Sequence, residues 1–413
     1  MKKKKGFLFL SSLVTISMLA GCNNKKKTAE IAVVTDVGSL NDGGFNQGTF
    51  EGAKAFATEN NKTYNYYMPS GQSNATDADR ENAMNLAIEN GAKIVIAPGF
   101  LQASAMRKCA MQHPNVKFVF MDGFLLEDDN HKILNNVTAI NYREEEAGFL
   151  AGYAVLKEGK YKLGGMFGGG GGNRACNAFA YGYVQGINQA VIDLEKENKE
   201  IPGKGKVSKP IAQISFMYGA QFGASPELKN QASSWYMNVK NNEDLEKEVG
   251  GTQIIFACGG SMTLSVKSAM DEYEKAEMVG VDVDQSHMSE KIITSATKNL
   301  ASSVKDTLGL FYGNEWDKKL GGKIFTLGAK ENAVGLPTEV YEKDNKKIDP
   351  WRFKNFTKEE YKILFKRIRG EGEKAEDNIV TKTVDSKVNC DTEIFWKNVN
   401  EKDTPKISIR HIK

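Results

Sequence analysis

The sequence is poor in the residues that bind metals and build disulfide frameworks. Its 413 residues include only 5 cysteines and 4 histidines, with no CxxC pair and no HExxH motif. This pattern argues against a zinc site and against a small domain held together by disulfides. We expect no metal and no other cofactor. Cys109 and Cys258 lie in apolar stretches and are predicted to be core residues.

A long apolar run is also missing. The longest extends from Phe7 to Ala20 and is too short for a transmembrane helix. It follows four lysines and leads into Leu19-Ala20-Gly21-Cys22. A basic start, a short apolar middle and a small-residue exit are typical of a secretory signal peptide. The exit resembles the bacterial lipobox, in which the cysteine is lipidated. We therefore expect a lipoprotein signal peptide at 1–21, acylation (palmitate) of Cys22, and a tether at 22–29 that holds the protein at the cell membrane, outside the cytoplasm.

Neither sign of charge is in strong excess. The chain has 55 Lys and Arg residues against 52 Asp and Glu, and its formal charge falls from +3 to −1 when the leader with its four lysines is removed. Proteins that bind nucleic acids usually present a basic field. We therefore expect no nucleic-acid partner.

Short apolar runs alternate with helical patterns along most of the chain. Ile31 to Thr35 is a continuous apolar run, as expected of a strand buried on both faces, and Phe50, Ala53 and Ala57 follow at helical spacing. The alternation continues to about Tyr312 and predicts an α/β fold with two doubly wound lobes joined by three crossovers. We assign 30–141 plus 297–321 to the N-terminal lobe, 142–296 plus 322–337 to the C-terminal lobe, and 338–413 to a charged C-terminal extension.

The C-terminal extension contains one clear helical pattern. A capping box formed by Thr357 and Glu360 precedes apolar residues at i, i+3, i+4 and i+7, namely Tyr361, Leu364, Phe365 and Ile368. We predict an amphipathic helix there, packed onto the body with the help of Phe353, Phe356, Phe395 and Trp396. The extension either decorates the fold, which we favour, or offers a docking surface to a partner.

Polar residues follow several of the predicted strands. In open α/β sheets, ligands bind beyond the carboxyl ends of the strands. Carboxylates there accept hydrogen bonds from vicinal hydroxyls, glycines admit close approach of a ligand to the backbone, and an aromatic ring can stack on a heterocycle. The alternative for any one residue is that it caps the next helix. The candidates are Asp36, Asn41, Asp42, Phe45, Asn46, Asp122, Gly259, Asp282 and Lys298.

Several of these segments resemble a known family. Thr35-Asp36-Val-Gly38, Asn41-Asp42-Gly-Gly-Phe45-Asn46-Gln47 and Glu51-Gly52 resemble the opening signature of the basic membrane protein family. Met121-Asp122-Gly123, the helix Glu144 to Gly152, Val279 to Gln285, and Ser295 to Asn299 are similar to later family segments. The family comprises substrate-binding lipoproteins of ABC importers and includes the purine nucleoside receptors. The similarity runs from about Ile31 to Leu336.

The resemblance implies a fold, a ligand and individual roles. The fold would be of the periplasmic-binding-protein type I, and the protein would act as a monomer that captures a nucleoside, with a purine favoured, and delivers it to an ABC permease in the membrane. Asn41 and Asp42 would hydrogen-bond the base edge, and Gly259 would offer a backbone contact. Phe45 and Phe222 would stack on the two base faces. Asp122, Asp282 and Lys298 would hold the ribose hydroxyls.

Signatures of enzymes are missing. The run from Gly168 to Gly172 lacks the Lys-Ser or Lys-Thr of a phosphate-binding loop and the final glycine of a dinucleotide fingerprint, and is read as a tight turn. Asp282 and Asp284 could imitate a glycosidase carboxylate pair, but alternation along an extended segment sends them to opposite faces. We expect no enzymatic activity. Two other functions stay open: a surface antigen or adhesin that retains the fold, and a receptor for another flat heterocycle such as a flavin or a thiamine-like vitamin.

Overall fold

The computed structural model describes residues 28–37, 39–161, 163–168, 173–197, 211–216, 222–237, 252–372 and 408–411. The predicted signal peptide, the lipidation site Cys22, the glycine turn at 169–172 and the pair Phe395 and Trp396 lie outside these residues. Within the described ranges, no helix combines the length and the apolar character that crossing a bilayer requires. Cys109 and Cys258 are buried, which confirms their prediction as core residues.

Strands and helices alternate along the described chain, and we number them in chain order. The strands are Ile31–Val34 (β1), Tyr64–Tyr67 (β2), Ile94–Pro98 (β3), Lys117–Met121 (β4), Val137–Tyr142 (β5), Leu163–Gly168 (β6), Ile211–Phe216 (β7), Ile254–Cys258 (β8), Glu277–Asp282 (β9), Ile292–Lys298 (β10), Ile324–Leu327 (β11), Val334–Gly335 (β12), Tyr341–Lys343 (β13), Lys346–Ile348 (β14) and Ser408–His411 (β15). The helices are Phe45–Glu59 (α1), Asp77–Glu89 (α2), Ala103–Gln112 (α3), Glu144–Glu158 (α4), Arg174–Lys196 (α5), Pro226–Met237 (α6), Met262–Asp271 (α7), Leu300–Tyr312 (α8) and Lys358–Arg369 (α9).

Thirteen of these described strands form two large sheets, one in the N-terminal (first) lobe and one in the C-terminal (second) lobe, while β13 and β14 pair with each other as a separate antiparallel hairpin. The first has six parallel strands in the order β11-β5-β4-β3-β1-β2. The second has seven in the order β12-β10-β9-β8-β6-β7-β15, and within it β12 runs antiparallel to β10. Strands β1, β3 and β8 are buried at every position, as their continuous apolar runs predict. The predicted two-lobed α/β fold is confirmed.

One boundary differs from the prediction. The segment 322–337 was assigned to the C-terminal lobe, but β11 pairs with β5 in the first sheet. The free edge of β5 provides the partner: Ala139 N–H donates to Lys323 O at 3.0 Å, and Arg143 N–H donates to Leu327 O at 2.9 Å. The third crossover therefore follows Leu327, and the chain enters the second sheet at β12.

Helices α4 and α5 approach each other so closely that only glycine fits at their contact. A Cβ added at Gly152 would lie 2.0 Å from the carbonyl oxygen of Tyr183, and one at Gly186 would lie 2.0 Å from that of Phe149. Gly148 and Gly182 meet the opposite backbone in the same way. Because the obstacle is backbone, neither helix can yield without moving as a whole.

We predict that Gly152→Ala lowers the free energy of unfolding by about 1–3 kcal/mol, as overpacking of a tight core does. Urea denaturation measures the change. Gly309→Ala is the matched control, since it lies in helix α8 with no atom within 4 Å of an added Cβ. There alanine should leave stability unchanged or raise it by up to about 1 kcal/mol. Equal effects of the two substitutions would contradict the close-contact interpretation.

The C-terminal extension packs on the second lobe. Its helix α9 begins at the predicted capping box of Thr357 and Glu360 and buries Tyr361, Leu364 and Ile368. Ahead of it, the Arg352 guanidinium donates to the carbonyl oxygens of Ser286 and Ile292, each at 2.8 Å. The Arg367 guanidinium lies 2.7 Å from Asp193 of α5. The extension is thus held by α5 and by the loop between β9 and β10.

Candidate binding site between the lobes

A cavity of about 520 Å³ lies between the two lobes. This volume falls within the range of small-molecule sites. The first lobe supplies the loops after β1, β3 and β4, and the second lobe supplies the ends of β8, β9 and β10 together with the start of α5. Nine of the ten predicted site residues line it: Asp36, Asp42, Phe45, Asn46, Asp122, Phe222, Gly259, Asp282 and Lys298.

Asn41 is the predicted residue that lies elsewhere. It is exposed and does not line the cavity, although its neighbour Asp42 does. Asp284 also stays outside, because its carboxylate accepts hydrogen bonds from the Ser286 N–H at 2.9 Å and hydroxyl at 3.0 Å. Asp282 and Asp284 therefore do not form a carboxylate pair in this cavity, as the alternation argument predicts.

The backbone turns sharply where the strands meet the cavity. Asp122, which follows β4, and Asp282, which ends β9, have φ angles of 53° and 66°. Non-glycine residues rarely adopt this left-handed conformation, and such backbone outliers concentrate at functional sites. Gly99 after β3 has a φ of 97°, and Gly259 after β8 has a φ of 142°. Strand ends of both sheets thus share an unusual backbone geometry at the cavity.

Lys298 is the centre of the charged part of the site. Its side chain is 2% exposed, and its Nζ lies 2.7 Å from Asp122 Oδ2, 3.3 Å from Glu144 Oε1 and 3.5 Å from Asp282 Oδ1. Asp122 follows a strand of the first sheet, Asp282 ends a strand of the second, and Glu144 begins the first crossover helix. The ammonium therefore contacts carboxylates of both lobes and the carboxylate of Glu144 on the crossover helix between them. It also lies 4.9 Å from the ring centroid of Phe45.

The pKa values of this cluster reflect burial opposed by charge. Burial alone would lower the pKa of Lys298, but Asp122, Glu144 and Asp282 reverse that effect and hold it well above its usual value. Burial raises the pKa of Glu144 to about 7 and that of Asp282 to about 6, and in both cases Lys298 limits the rise. The cluster can therefore change its charge near neutral pH.

Asp36 and Asp42 form a second acidic pair, and Asp42 caps a helix. The Asp42 carboxylate accepts the N–H groups of Gly44 at 2.8 Å, Asn46 at 3.0 Å and Gln47 at 3.2 Å, all at the start of α1. The Asp36 carboxylate accepts the Val37 N–H at 2.7 Å and the Asn46 side-chain amide at 3.2 Å. Burial raises the pKa of both carboxyl groups. Asp42 thus caps helix α1, which was the alternative interpretation for strand-end residues, and it also lines the cavity.

Aromatic rings line the cavity from both lobes. Phe45 lies in the first turn of α1, and Phe222 precedes α6 in the second lobe. The Phe222 ring approaches Phe100 of the first lobe edge-on, with 6.2 Å between centroids. The loop of Phe222 is fixed by its carbonyl oxygen, which accepts the Met262 N–H at 2.9 Å. Phe100 and two further lining rings, Phe124 and Phe179, were not identified from the sequence.

The start of α5 was also missed. Asn173, Arg174 and Cys176 line the cavity, and the Asn173 side chain caps the helix by accepting the Cys176 N–H at 2.9 Å. An asparagine between a predicted strand and a predicted helix indicates a helix N-cap, so this residue could have been found from the sequence. Arg174 had no such signal, because its partner Glu144 lies on another helix at 3.4 Å.

The lobes also touch directly beside the cavity. The Gln285 side-chain amide, from the loop after β9, donates to the carbonyl oxygen of Gly43 in the first lobe at 2.9 Å. A Cβ on Gly43 would lie 2.1 Å from the methyl carbon of Met288. These contacts join the two lobes beside the cavity. Among the described residues, no cluster of three or more His, Cys, Asp or Glu side chains is arranged to hold a metal ion.

Comparison with known proteins yields one matching family model and relatives that cover most of the chain. Residues 29–219 match the sequence model of the Bmp family, described as ABC transporter substrate-binding protein PnrA-like. The chain is 26% identical over 367 residues to the "ABC transporter nucleoside-binding protein BmpA" of Lactococcus lactis, covering 81% of this chain and 92% of the relative. It is 25% identical over 373 residues to "Basic membrane protein B" of Borreliella burgdorferi, covering 88% and 98%.

Solved structures agree on the fold. An ABC transporter solute-binding protein from Aeropyrum pernix superposes with a TM-score of 0.56 at 18% identity, over 90% of this chain and 89% of that one. At this identity the likeness concerns the fold alone. The sequence matches confirm the predicted resemblance: this chain is similar to the PnrA-like substrate-binding proteins of ABC transporters, a family of solute-binding proteins.

Proposed function

We propose that this protein captures a purine nucleoside in the cavity between its lobes and delivers it to an ABC permease, while an acylated Cys22 anchors it to the outer side of the cell membrane. The observation that carries the proposal is the convergence of Phe45, Phe222 and the cluster of Asp122, Asp282 and Lys298 on one cavity. The nucleoside-binding name of the Lactococcus lactis relative supports the same ligand class.

The lining matches the chemistry of a nucleoside in two parts. Phe45 and Phe222 offer flat apolar faces for a base, and each stacked ring contributes about 1–3 kcal/mol. Asp122 and Asp282 offer oxygen acceptors for ribose hydroxyls, and Lys298 between them offers a donor. An uncharged ligand suits a site in which this lysine already neutralises part of the acidic charge.

The proposed mechanism is closure of the lobes around the ligand. Phe45 and Asp122 belong to the first lobe, whereas Phe222 and Asp282 belong to the second. A ligand touches both sets only when the lobes are closed, so its binding energy shifts the hinge equilibrium toward that state. The permease would then distinguish the loaded, closed form from the open one.

Isothermal titration with adenosine, guanosine, inosine and free ribose tests this function. We expect the purine nucleosides to bind and ribose alone to bind far more weakly, because it lacks the stacking surface. Binding of ribose without any nucleoside would exclude the aromatic clamp. Mass spectrometry of the gently purified protein extends the test: a retained flavin or thiamine-like vitamin would assign a different heterocycle. An empty cleft that binds no nucleoside would favour a surface antigen or adhesin.

A further inference from the structure

Glu144 is the most deeply buried charged residue beside the cavity, and nothing in the proposed ligand contacts uses it. It is fully buried at the first position of α4, where the chain leaves the first lobe. One carboxylate oxygen lies 3.3 Å from Lys298 Nζ, and the other lies 3.4 Å from the Arg174 guanidinium. Both cations line the cavity, but Glu144 does not.

The two cations reach Glu144 from different parts of the fold. Lys298 ends β10, where the chain returns to the first lobe, and Arg174 begins α5 on the wall of the second lobe. The Arg174 side chain is 43% exposed and lines the cavity. Glu144 therefore lies behind the cavity wall and contacts two cations that line the cavity.

We propose that Glu144 is a positioning residue for ligand capture: its ionised carboxylate holds Lys298 and Arg174 in their binding geometry, and its protonation weakens both contacts. This inference rests on the proposed function, because it concerns how the same cavity binds its nucleoside. It adds a dependence of affinity on pH that the ligand contacts alone would not require.

The surroundings of Glu144 determine how that dependence should look. The groups that face it are Lys298 on β10, Arg174 on α5, Asp122 after β4 and Tyr142 on β5. Asp282 on β9 acts through the shared Lys298. Burial raises the pKa of Glu144 to about 7 and that of Asp282 to about 6. Protonation of Glu144 therefore precedes that of Asp282 as the pH falls.

Affinity should decline in two steps on acidification. If only the form with ionised Glu144 binds well, its population falls about tenfold between pH 8 and pH 6, and the apparent affinity falls with it. Below pH 6, protonation of Asp282 adds a second decline. Glu144→Gln mimics the fully protonated form, so it should bind at least about tenfold more weakly at pH 8 and lose the upper step while keeping the lower one.

The experiment is calorimetric titration of the full chain with adenosine and, separately, guanosine between pH 5 and pH 8.5. Glu145→Gln is the matched control: its side chain is 2% exposed in the same helical turn, but it pairs with Arg143 at 3.2 Å instead of a cavity residue. We expect E145Q to keep the wild-type pH profile. Glu144→Asp retains a titratable group and should keep an upper step.

Thermal unfolding separates positioning from simple structural support. An acid whose pKa is raised by folding makes the folded state less stable as the pH rises from its unfolded pKa toward the folded one. E144Q should therefore melt at pH 8 no lower than the wild type. A lower melting temperature with an unaltered pH profile would overturn the proposal, and so would wild-type affinity in E144Q. Absence of nucleoside binding by the wild type would instead refute the proposed function itself.

Discussion

Phe45→Ala should weaken purine nucleoside binding by about 5- to 150-fold, the range that corresponds to the ~1–3 kcal/mol of one base–aromatic stack. Phe45 lines the cavity in the first turn of α1, and the centroid of its ring lies 4.9 Å from Lys298 Nζ. Removing the ring therefore takes away a stacking face and admits water to the ammonium. Calorimetric titration with guanosine and adenosine measures the loss, and free ribose should respond much less.

Phe50→Ala is the control for this substitution. Phe50 lies one turn further along α1, where its ring packs on Tyr64 and Tyr66 at centroid distances of 5.9 and 5.5 Å and does not line the cavity. Its loss should reduce stability while leaving nucleoside affinity close to that of the wild type. If both variants lost affinity equally, the effect would come from damage to the helix, and Phe45 would have no place in the site.

Lys298→Met should lower the free energy of unfolding by about 3–5 kcal/mol at pH 8, the usual result of removing one partner from a buried ion pair. The substitution leaves Asp122 and Asp282 without the cation beside them. It should also abolish measurable nucleoside binding. Because the pKa values of Glu144 and Asp282 are already raised to about 7 and about 6, protonation at pH 5 relieves the repulsion, and the loss of stability should shrink there.

Denaturation of K298M and wild type at pH 5 and pH 8 tests whether the loss of stability is smaller at the lower pH, with Lys305→Met as the control. Lys305 forms a 2.8 Å ion pair with Glu59, but both side chains are more than one-third exposed. Water and salt screen such a pair, so K305M should change stability by less than about 1 kcal/mol at either pH. A loss of equal size at pH 5 and pH 8 in K298M would show that its destabilisation does not arise from the carboxylates.

The sequence predicts those elements of the fold that carry a local pattern. Strand β1 is an unbroken apolar run and is buried at every position, and α9 starts at a capping box that is present in the structure. Strands β11 and β15 were not predicted, because each joins a sheet only at its outer position, through pairing with β5 and β7. That pairing depends on backbone groups distant in sequence, which leave no local periodicity.

In the candidate site too, residues with a local sequence signal were predicted and residues that depend on long-range contacts were not. Strand-end residues such as Asp122 and Asp282 reach the cavity because parallel topology brings the carboxyl ends of the strands to one edge of each sheet. Glu144 and Arg174 were missed, since their importance lies in one long-range contact at 3.4 Å and not in a motif. Asn41 differs from its neighbour Asp42: it is exposed and does not line the cavity, and the sequence carries no signal that separates the two residues.

The attachment of the C-terminal extension has a practical consequence. Arg352 and Arg367 fasten it to the loop before β10 and to α5, both parts of the second lobe. Helix α9 should therefore travel with that lobe as one rigid unit, and its Ile363 is 62% exposed. A fluorophore at this position, paired with one on α2 of the opposite lobe, would report opening and closing by energy transfer without any label near the cavity.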